Sequence, residues 1–294
     1  MPGAGPPRRR AARSGLATLI GTVPTAVIAF DFDPFLRIAD GAVRWETLGI
    51  AAAIFAAIVL AAIGARSMEL RSDDLLFVVL GAVPGAVVGG RLGYVLLHPE
   101  FFAARPEAIV DPGTGSLALT MGVLGGALTG GLVAALVDGG VGRWFHIATL
   151  PLLAGLAAGK LAMVFGGRGQ GQPFDGGWAT AFVGPGPWGS LAPTTPSHPS
   201  QVYEGLGALV ALVLMLGILA IPAARRPDGR SFLIGLGLWA AVRAIVASTW
   251  RDPLVAGPFR TEQLLDLGIV VACLAGIVVL IARERPAPEP ATTG

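Results

Sequence analysis

Seven apolar stretches, each 18 to 23 residues long, dominate this chain and leave little choice of fold. They cover residues 48–65, 75–97, 117–137, 146–166, 203–222, 231–249 and 263–281, and a polar or Gly/Pro-rich stretch parts each from the next. A helix rises about 1.5 Å per residue, so about 20 apolar residues cross the hydrocarbon core of a bilayer. Inside lipid every backbone N–H and C=O must be bonded within the protein, which admits only helices or closed barrels. Barrel strands alternate apolar and polar residues, and these stretches do not. The expectation is an all-α, polytopic membrane protein with seven transmembrane helices, or eight if a weaker N-terminal stretch also crosses. Gly126 and Gly130 form a G-x-x-x-G pair, which lets two such helices approach closely.

Composition agrees and removes other classes. Charged residues make up 14% of the 294 and mean hydropathy is +0.70, against about 25% charge in a soluble domain. A globular cytosolic enzyme is excluded, and 53% hydrophobic residues exclude disorder. Cys273 is the sole cysteine, which rules out an intramolecular disulfide or a thiolate metal cluster. His98, His146 and His198 are too scattered for a zinc motif, so neither metal nor cofactor is expected. Net charge is only +2, and no basic block argues for nucleic acid.

Arginines in the short connections set the orientation. Arg66, Arg71, Arg143, Arg225, Arg226, Arg230, Arg283 and Arg285 fall on one side; Arg105, Arg168, Arg251 and Arg260 fall on the other. This predicts a cytoplasmic C-terminus and an outer loop at 167–202, although Arg37 and Arg44 on the outer side narrow the margin. Arg8, Arg9, Arg10 and Arg13 precede a weakly apolar stretch, Leu16 to Phe30, which Pro24 interrupts. At about 15 residues it is short of a span, and it reads either as an extra crossing or as an interfacial segment. The chain therefore divides into a basic N-terminal segment (1–45), a transmembrane domain (46–282) and a tail (283–294).

Ionisable residues inside spans mark function, because each costs about 2.5–3.5 kcal/mol near the bilayer centre. Arg91, Lys160 and Arg243 each lie 6 residues before the end of an outward-running span, about 9 Å below the outer boundary. Glu46, Glu204, Glu262 and Asp266 stand near the same boundary, at the N-termini of inward-running helices, where negative charge is favoured. The pattern predicts that Arg91, Lys160 and Arg243 converge on one anionic headgroup, since Arg offers paired donors to phosphate oxygens. Snorkelling of each cation to the headgroup layer is the plainer reading. Lys160 is the only lysine beside 20 arginines; a desolvated ammonium can act as a base or as a phosphate anchor.

The outer loop ends in Ser197-His198-Pro199-Ser200-Gln201-Val202-Tyr203-Glu204. Pro199 suits a first helical turn, and Gln201 and Glu204 then sit at the positive end of the helix dipole. As a string, His-Pro-Ser-Gln-x-Tyr-Glu resembles the signature of the bacterial prolipoprotein diacylglyceryl transferases. The likeness extends over residues 32–281: Phe32-Asp33-Pro34, Arg44-Trp45, the run from Gly89 to Leu96, Met121 to Gly126, Gly159 to Met163, Gly171-Gln172-Pro173 with Trp178, and Arg243, Arg251-Asp252 and Gln263. Seven spans with the C-terminus inside is also that family's topology.

The resemblance implies a transferase of the bacterial plasma (inner) membrane. It would move the diacylglyceryl group of phosphatidylglycerol to the thiol of a lipobox cysteine in a prolipoprotein precursor, releasing glycerol phosphate. Lys160, Arg243 and Arg91, with Arg251, would hold the lipid phosphate, and Glu46, Glu204 or deprotonated Lys160 would assist the thiol. His198, Ser200, Gln201, Tyr203, Glu204, Gly171 and Gln263 are the motif positions. Several positions depart from the family. Its tyrosine after the tryptophan is Glu46, its histidine before the central Gly-Gly is Leu124, and its arginine is Lys160. Its asparagine is Met163, one glutamate is Arg168 and another is Ala247, and the spacing from Arg243 to Arg251 is one residue longer. Two readings stay open: an active, divergent transferase, or a non-catalytic relative that binds anionic phospholipid or precursor proteins. A small transporter fits less well, for want of an inverted repeat.

Overall fold

The structure is a computed structural model that describes residues 27–111, 114–222 and 224–283. Eight helices form its body: α1 (Trp45–Ser67), α2 (Ser72–Leu97), α3 (Pro99–Ala104), α4 (Leu119–Ala134), α5 (Val141–Ala162), α6 (Ser200–Leu219), α7 (Arg230–Val246) and α8 (Thr261–Arg283). Seven of them occupy the seven apolar stretches, and α3 is a short surface turn. Among the described residues six are long and apolar enough to cross a membrane; α4, with 16 residues, is shorter. At 1.5 Å per residue α4 spans about 24 Å, less than the ~30 Å hydrocarbon core.

Most helices start two to five residues before their apolar stretch. Glu46, Asp73 with Asp74, and Glu262 occupy first turns, where acidic side chains favour the helix N-terminus although they lower hydropathy. The core lies among α5, α6, α7 and α8, where Leu153, Met215, Trp239, Ala240 and Cys273 are buried. Half of the apolar stretch of α7 (50%) is enclosed, against 11% for α1. So α7 is the central helix, and α1 turns Ile54, Phe55 and Ile63 outward, as a lipid-facing helix does.

Glycines bring α2 and α4 into backbone contact. A Cβ on Gly125 would run into the Gly85 carbonyl, and one on Gly130 would lie 3.0 Å from the Ala82 Cβ. Gly126 meets Ala82 and Ala86, so the G-x-x-x-G pair faces a neighbouring helix, as its spacing predicts.

Among the described residues six short strands supplement the helices, before α1 and in the segments between helices. β1 (Val27–Phe30) runs parallel to β4 (Ala179–Phe182), β2 (Phe35–Ile38) and β3 (Gly41–Arg44) form a hairpin, and β5 (Leu254–Ala256) pairs with β6 (Phe259–Arg260). They cap the end of the bundle where α1, α6 and α8 begin and α5 and α7 finish. The end of the Leu16–Phe30 stretch is therefore strand rather than membrane helix. Its earlier residues, Arg8 to Arg13 before it, and Arg285 lie outside the described residues.

Candidate active site

The capped end carries a buried ion network drawn from four helices. Arg243, on the last turn of α7, is only 2% exposed. Its guanidinium donates to Glu204 Oε2 (2.7 Å, α6), Glu262 Oε2 (2.6 Å, α8) and Asp266 Oδ2 (3.3 Å, α8). Lys160 Nζ, from the last turn of α5, shares the same Glu204 oxygen at 2.9 Å. Thr120 Oγ1, on the first turn of α4, donates to Asp266 Oδ1 at 3.0 Å. The rings of Trp239 and Trp250 lie 5.4 and 4.8 Å from the guanidinium carbon, within cation–π range.

This placement corrects the predicted cationic pocket. Two cations face three carboxylates, so the cluster carries an excess of acid. The acids of the helix starts lie level with the cations of the helix ends, and inside a low dielectric each cation takes the nearest carboxylates. Lys160 keeps 12% of its side chain exposed, while Arg243 is sealed. An ammonium has three donors, and one of them is used by Glu204.

Arg91 does not join them. Its guanidinium donates to the carbonyls of Ile109 (2.7 Å), Thr114 (2.7 Å), Asp111 (3.0 Å), Ser116 (3.4 Å) and Ala108. It knits the segment between α3 and α4 and packs over the Phe102 ring. Its depth matches that of Lys160 and Arg243, but it faces a different side of the bundle. Arg251 likewise turns to the protein, donating to the Gly171 carbonyl and to Ser197 Oγ (2.9 Å).

A strap from Met163 to Pro199 roofs the network. Gly167 and Gly169 take positive φ (73° and 78°) to turn it, and Gly169 accepts from Gln201 N–H (3.2 Å). Gly171 N–H donates to the His198 carbonyl (2.8 Å). A Cβ on Gly171 would strike the Thr249 carbonyl and Ser200 Oγ, so the close approach needs glycine. Ser200 Oγ pairs with Thr249 Oγ1 at 2.6 Å, and Gln263 Nε2 donates to the Ala244 carbonyl at 2.8 Å. These motif residues therefore fasten α6, α7, α8 and the strap together. Gln201 is wholly buried, and neither polar atom of its amide finds a partner among the described residues.

His198 stacks on Phe174 (4.0 Å between ring centres), and its Nδ1 lies 3.3 Å from the Tyr203 hydroxyl. That hydroxyl accepts from Trp178 Nε1 at 2.7 Å. Partial burial pushes the imidazole below the usual histidine range, so the ring is neutral near pH 7.

Glu46 stands apart, 4% exposed, with Oε1 3.5 Å from Arg168 Nε and Oε2 without a hydrogen-bond partner among the described residues. Leu124 packs against the apolar core, Met163 begins the turn after α5, and Ala247 is buried in the turn after α7. Thr120 went unread in the sequence, because nothing separates it from other hydroxyls in apolar stretches. The partnership of Glu262 and Asp266 with Arg243 was signalled only by their common level.

Fold and site define a polytopic membrane protein with an ion-paired centre at one membrane boundary, enclosed by a strap that ends in the His-Pro-Ser-Gln-x-Tyr-Glu motif. The family model described as prolipoprotein diacylglyceryl transferase matches residues 34–281. The chain belongs to that family. A phosphatidylglycerol–prolipoprotein diacylglyceryl transferase of Geobacter sulfurreducens is 31% identical over 267 residues, covering 87% of this chain and 98% of the relative. The protein of that name from Bordetella parapertussis is 34% identical over 74% of this chain and 80% of its own. One from Trichormus variabilis is 28% identical over 84% of this chain and 89% of its own.

Proposed function

We propose that the chain transfers the diacylglyceryl group of phosphatidylglycerol to a lipobox cysteine of a prolipoprotein, at the outer face of a bacterial plasma membrane with its C-terminus in the cytoplasm. The thiol sulfur attacks the glyceryl carbon that carries the phosphate. The S–C bond forms, the C–O bond breaks, and glycerol phosphate leaves with the electron pair. The thiol proton passes to water at the membrane boundary, and a neighbouring cation favours that loss. One observation carries this reading: Lys160 is held by Glu204, within the network of the sealed Arg243, with donors to spare and a side chain that is 12% exposed. Negative charge that develops on the leaving phosphate meets a fixed positive partner there, and such preorganised partners lower the barrier most. Arg243 acts behind it as the charge that keeps Glu204 in place. Arg91, Arg251 and Glu46 touch other parts of the protein and carry no step.

Purified protein, phosphatidylglycerol vesicles and a lipobox peptide test this, with peptide mass and released glycerol phosphate as readouts. Lys160→Ala is expected to lower turnover about 100-fold or more, the scale of losing one transition-state donor. Lys160→Arg, which keeps the charge, retains a measurable part. Unchanged turnover in Lys160→Ala refutes the assignment.

One observation favours a second reading. Leu124 lies against apolar core and Met163 supplies no proton acceptor, so a relative that binds the lipid without turning it over fits those two positions. Phospholipid binding without peptide lipidation is its signature.

A further inference from the structure

The inference deepens the proposed function and concerns how the strap is held over the site. Three pieces of chain meet at Glu46: the first turn of α1, the start of the strap, and the turn around residues 184–190. Glu46 Oε2 lies under Gly166, where a Cβ would collide with it, and Oε1 faces Arg168 Nε at 3.5 Å. The stem of Arg168 lies against Gly189, whose N–H donates to the Gly166 carbonyl at 2.7 Å. Arg44 approaches from the other side, donates to the Pro187 carbonyl at 3.0 Å and covers the Phe35 ring. Arg44, Glu46 and Arg168 together line one small cavity of about 160 Å³.

We infer that the Glu46–Arg168 pair is a latch that positions the strap over Lys160 and Glu204. A buried carboxylate is strongly unfavourable without a counter-charge, and Arg168 supplies one from the strap itself. Arg44 lines the same cavity as a second positive group, and the strap in its closed position adds the arginine that contacts the carboxylate directly. One residue past Arg168, the carbonyl of Gly169 takes the Gln201 N–H, one helical turn before Glu204. Displacement at residue 168 is thereby passed to the helix that fixes Lys160. Arg168 and Glu46 touch neither reacting group in this scheme; both are positioning residues. Both are also departures from the family pattern noted in the sequence, and the structure shows that these two departures contact each other.

Two readouts on full-length protein in nanodiscs test the latch. The first is hydrogen exchange at the Gly171 and Gly189 amides, with the buried amides of α6 as the control for folding. Arg168→Gln is expected to speed exchange at both amides about tenfold while α6 stays protected, and Arg168→Lys to leave it unchanged. Arg168→Gln added to Glu46→Gln is expected to add nothing, because the charge that needed the latch is gone. The second readout is turnover: Arg168→Gln lowers kcat about tenfold with KM for phosphatidylglycerol within twofold, and Arg168→Lys restores it. Unchanged exchange in Arg168→Gln, or effects of the two glutamine variants that simply multiply, overturns the latch. Faster exchange in a wild-type protein background that transfers no diacylglyceryl group leaves the latch standing and overturns the proposed function instead.

Discussion

Arg243→Met isolates what the buried network contributes. The substitution keeps an unbranched apolar side chain beside Trp239 and Trp250 and removes the one cation that three carboxylates share. Of the two acids that are 4% and 0% exposed, Glu204 keeps Lys160 as a positive partner and Asp266 keeps, among the described residues, only the Thr120 hydroxyl. Removing one partner of a buried pair costs about 3–5 kcal/mol, because the other charge stays buried and uncompensated. That is roughly a 100- to 5,000-fold fall in the folded-to-unfolded ratio. Lys160→Met is the internal comparison. Lys160 retains contact with water, has one carboxylate partner, and leaves Glu204 still bound to Arg243. Its loss is expected to cost about 1.5 kcal/mol, the scale of one charged hydrogen bond. Denaturant unfolding in detergent micelles, followed by circular dichroism, gives both values. The structure thus ranks the two variants oppositely to their proposed roles: Arg243 matters more for stability, whereas Lys160 is the group proposed to meet substrate. Arg243→Met within about 1 kcal/mol of wild type, or Lys160→Met the more damaging of the two, refutes the reasoning.

Other substitutions test the packing and the roof. Gly125→Ala drives a methyl into the Gly85 carbonyl and is expected to cost about 1–3 kcal/mol. Gly159→Ala, where a Cβ meets nothing within 4 Å, is expected to gain up to about 1 kcal/mol from helix propensity; the same unfolding assay separates them. Leu124→His is expected to cost about 1–3 kcal/mol for a polar group placed on apolar core without raising kcat, and increased turnover would contradict that placement. Burial holds the His198 imidazole below its usual range, so the unfolded chain binds its proton more readily than the folded one. Its contribution is full above pH ~6.5 and falls as pH drops below that value. The unfolding midpoint of His198→Asn between pH 5 and 8 is expected to lack this acid-side decline.

How much of this was legible follows from what hydropathy measures. It reports depth, since a run of apolar residues places its neighbours along the membrane normal, and all seven stretches are helices. It also placed Lys160, Arg243, Glu204, Glu262 and Asp266 at one level. Direction around the helix axis is a different quantity, set by packing that a single sequence does not show. Arg91 illustrates the gap: it shares the level of the other two cations yet caps five carbonyls between residues 108 and 116. The strands at the capped end escaped notice for a related reason. Each is only two to four residues long, too short for an alternating pattern, and one pair is held by partners far along the chain, as Ala179 is by Val27.

Charge balance then decides how a phosphate can approach. Had the cations been bare, an anionic headgroup would have bound between them and displaced water alone. In the observed network Arg243 already has three carboxylate partners, and an incoming phosphate would have to expel one of them and leave it buried, at several kcal/mol. Lys160 poses no such obstacle: its ammonium keeps Glu204 as partner, and its remaining N–H groups are not tied to other carboxylates. A lysine lacks the planar fork of an arginine but swivels on a flexible stem, so it can follow a phosphate from the lipid into the leaving product while staying paired. The same reasoning bears on the acid excess: Glu262, 23% exposed, is the most exposed of the three carboxylates, so solvent stabilises part of the negative charge there. An Asp266→Asn variant removes one acid from the sealed side, where its carboxylate binds Thr120 and Arg243. It is expected to leave Lys160-dependent turnover within a few-fold of wild type, whereas Glu204→Gln, which releases Lys160, is expected to abolish it; equal losses in the two would mean that the network acts as one undivided charge.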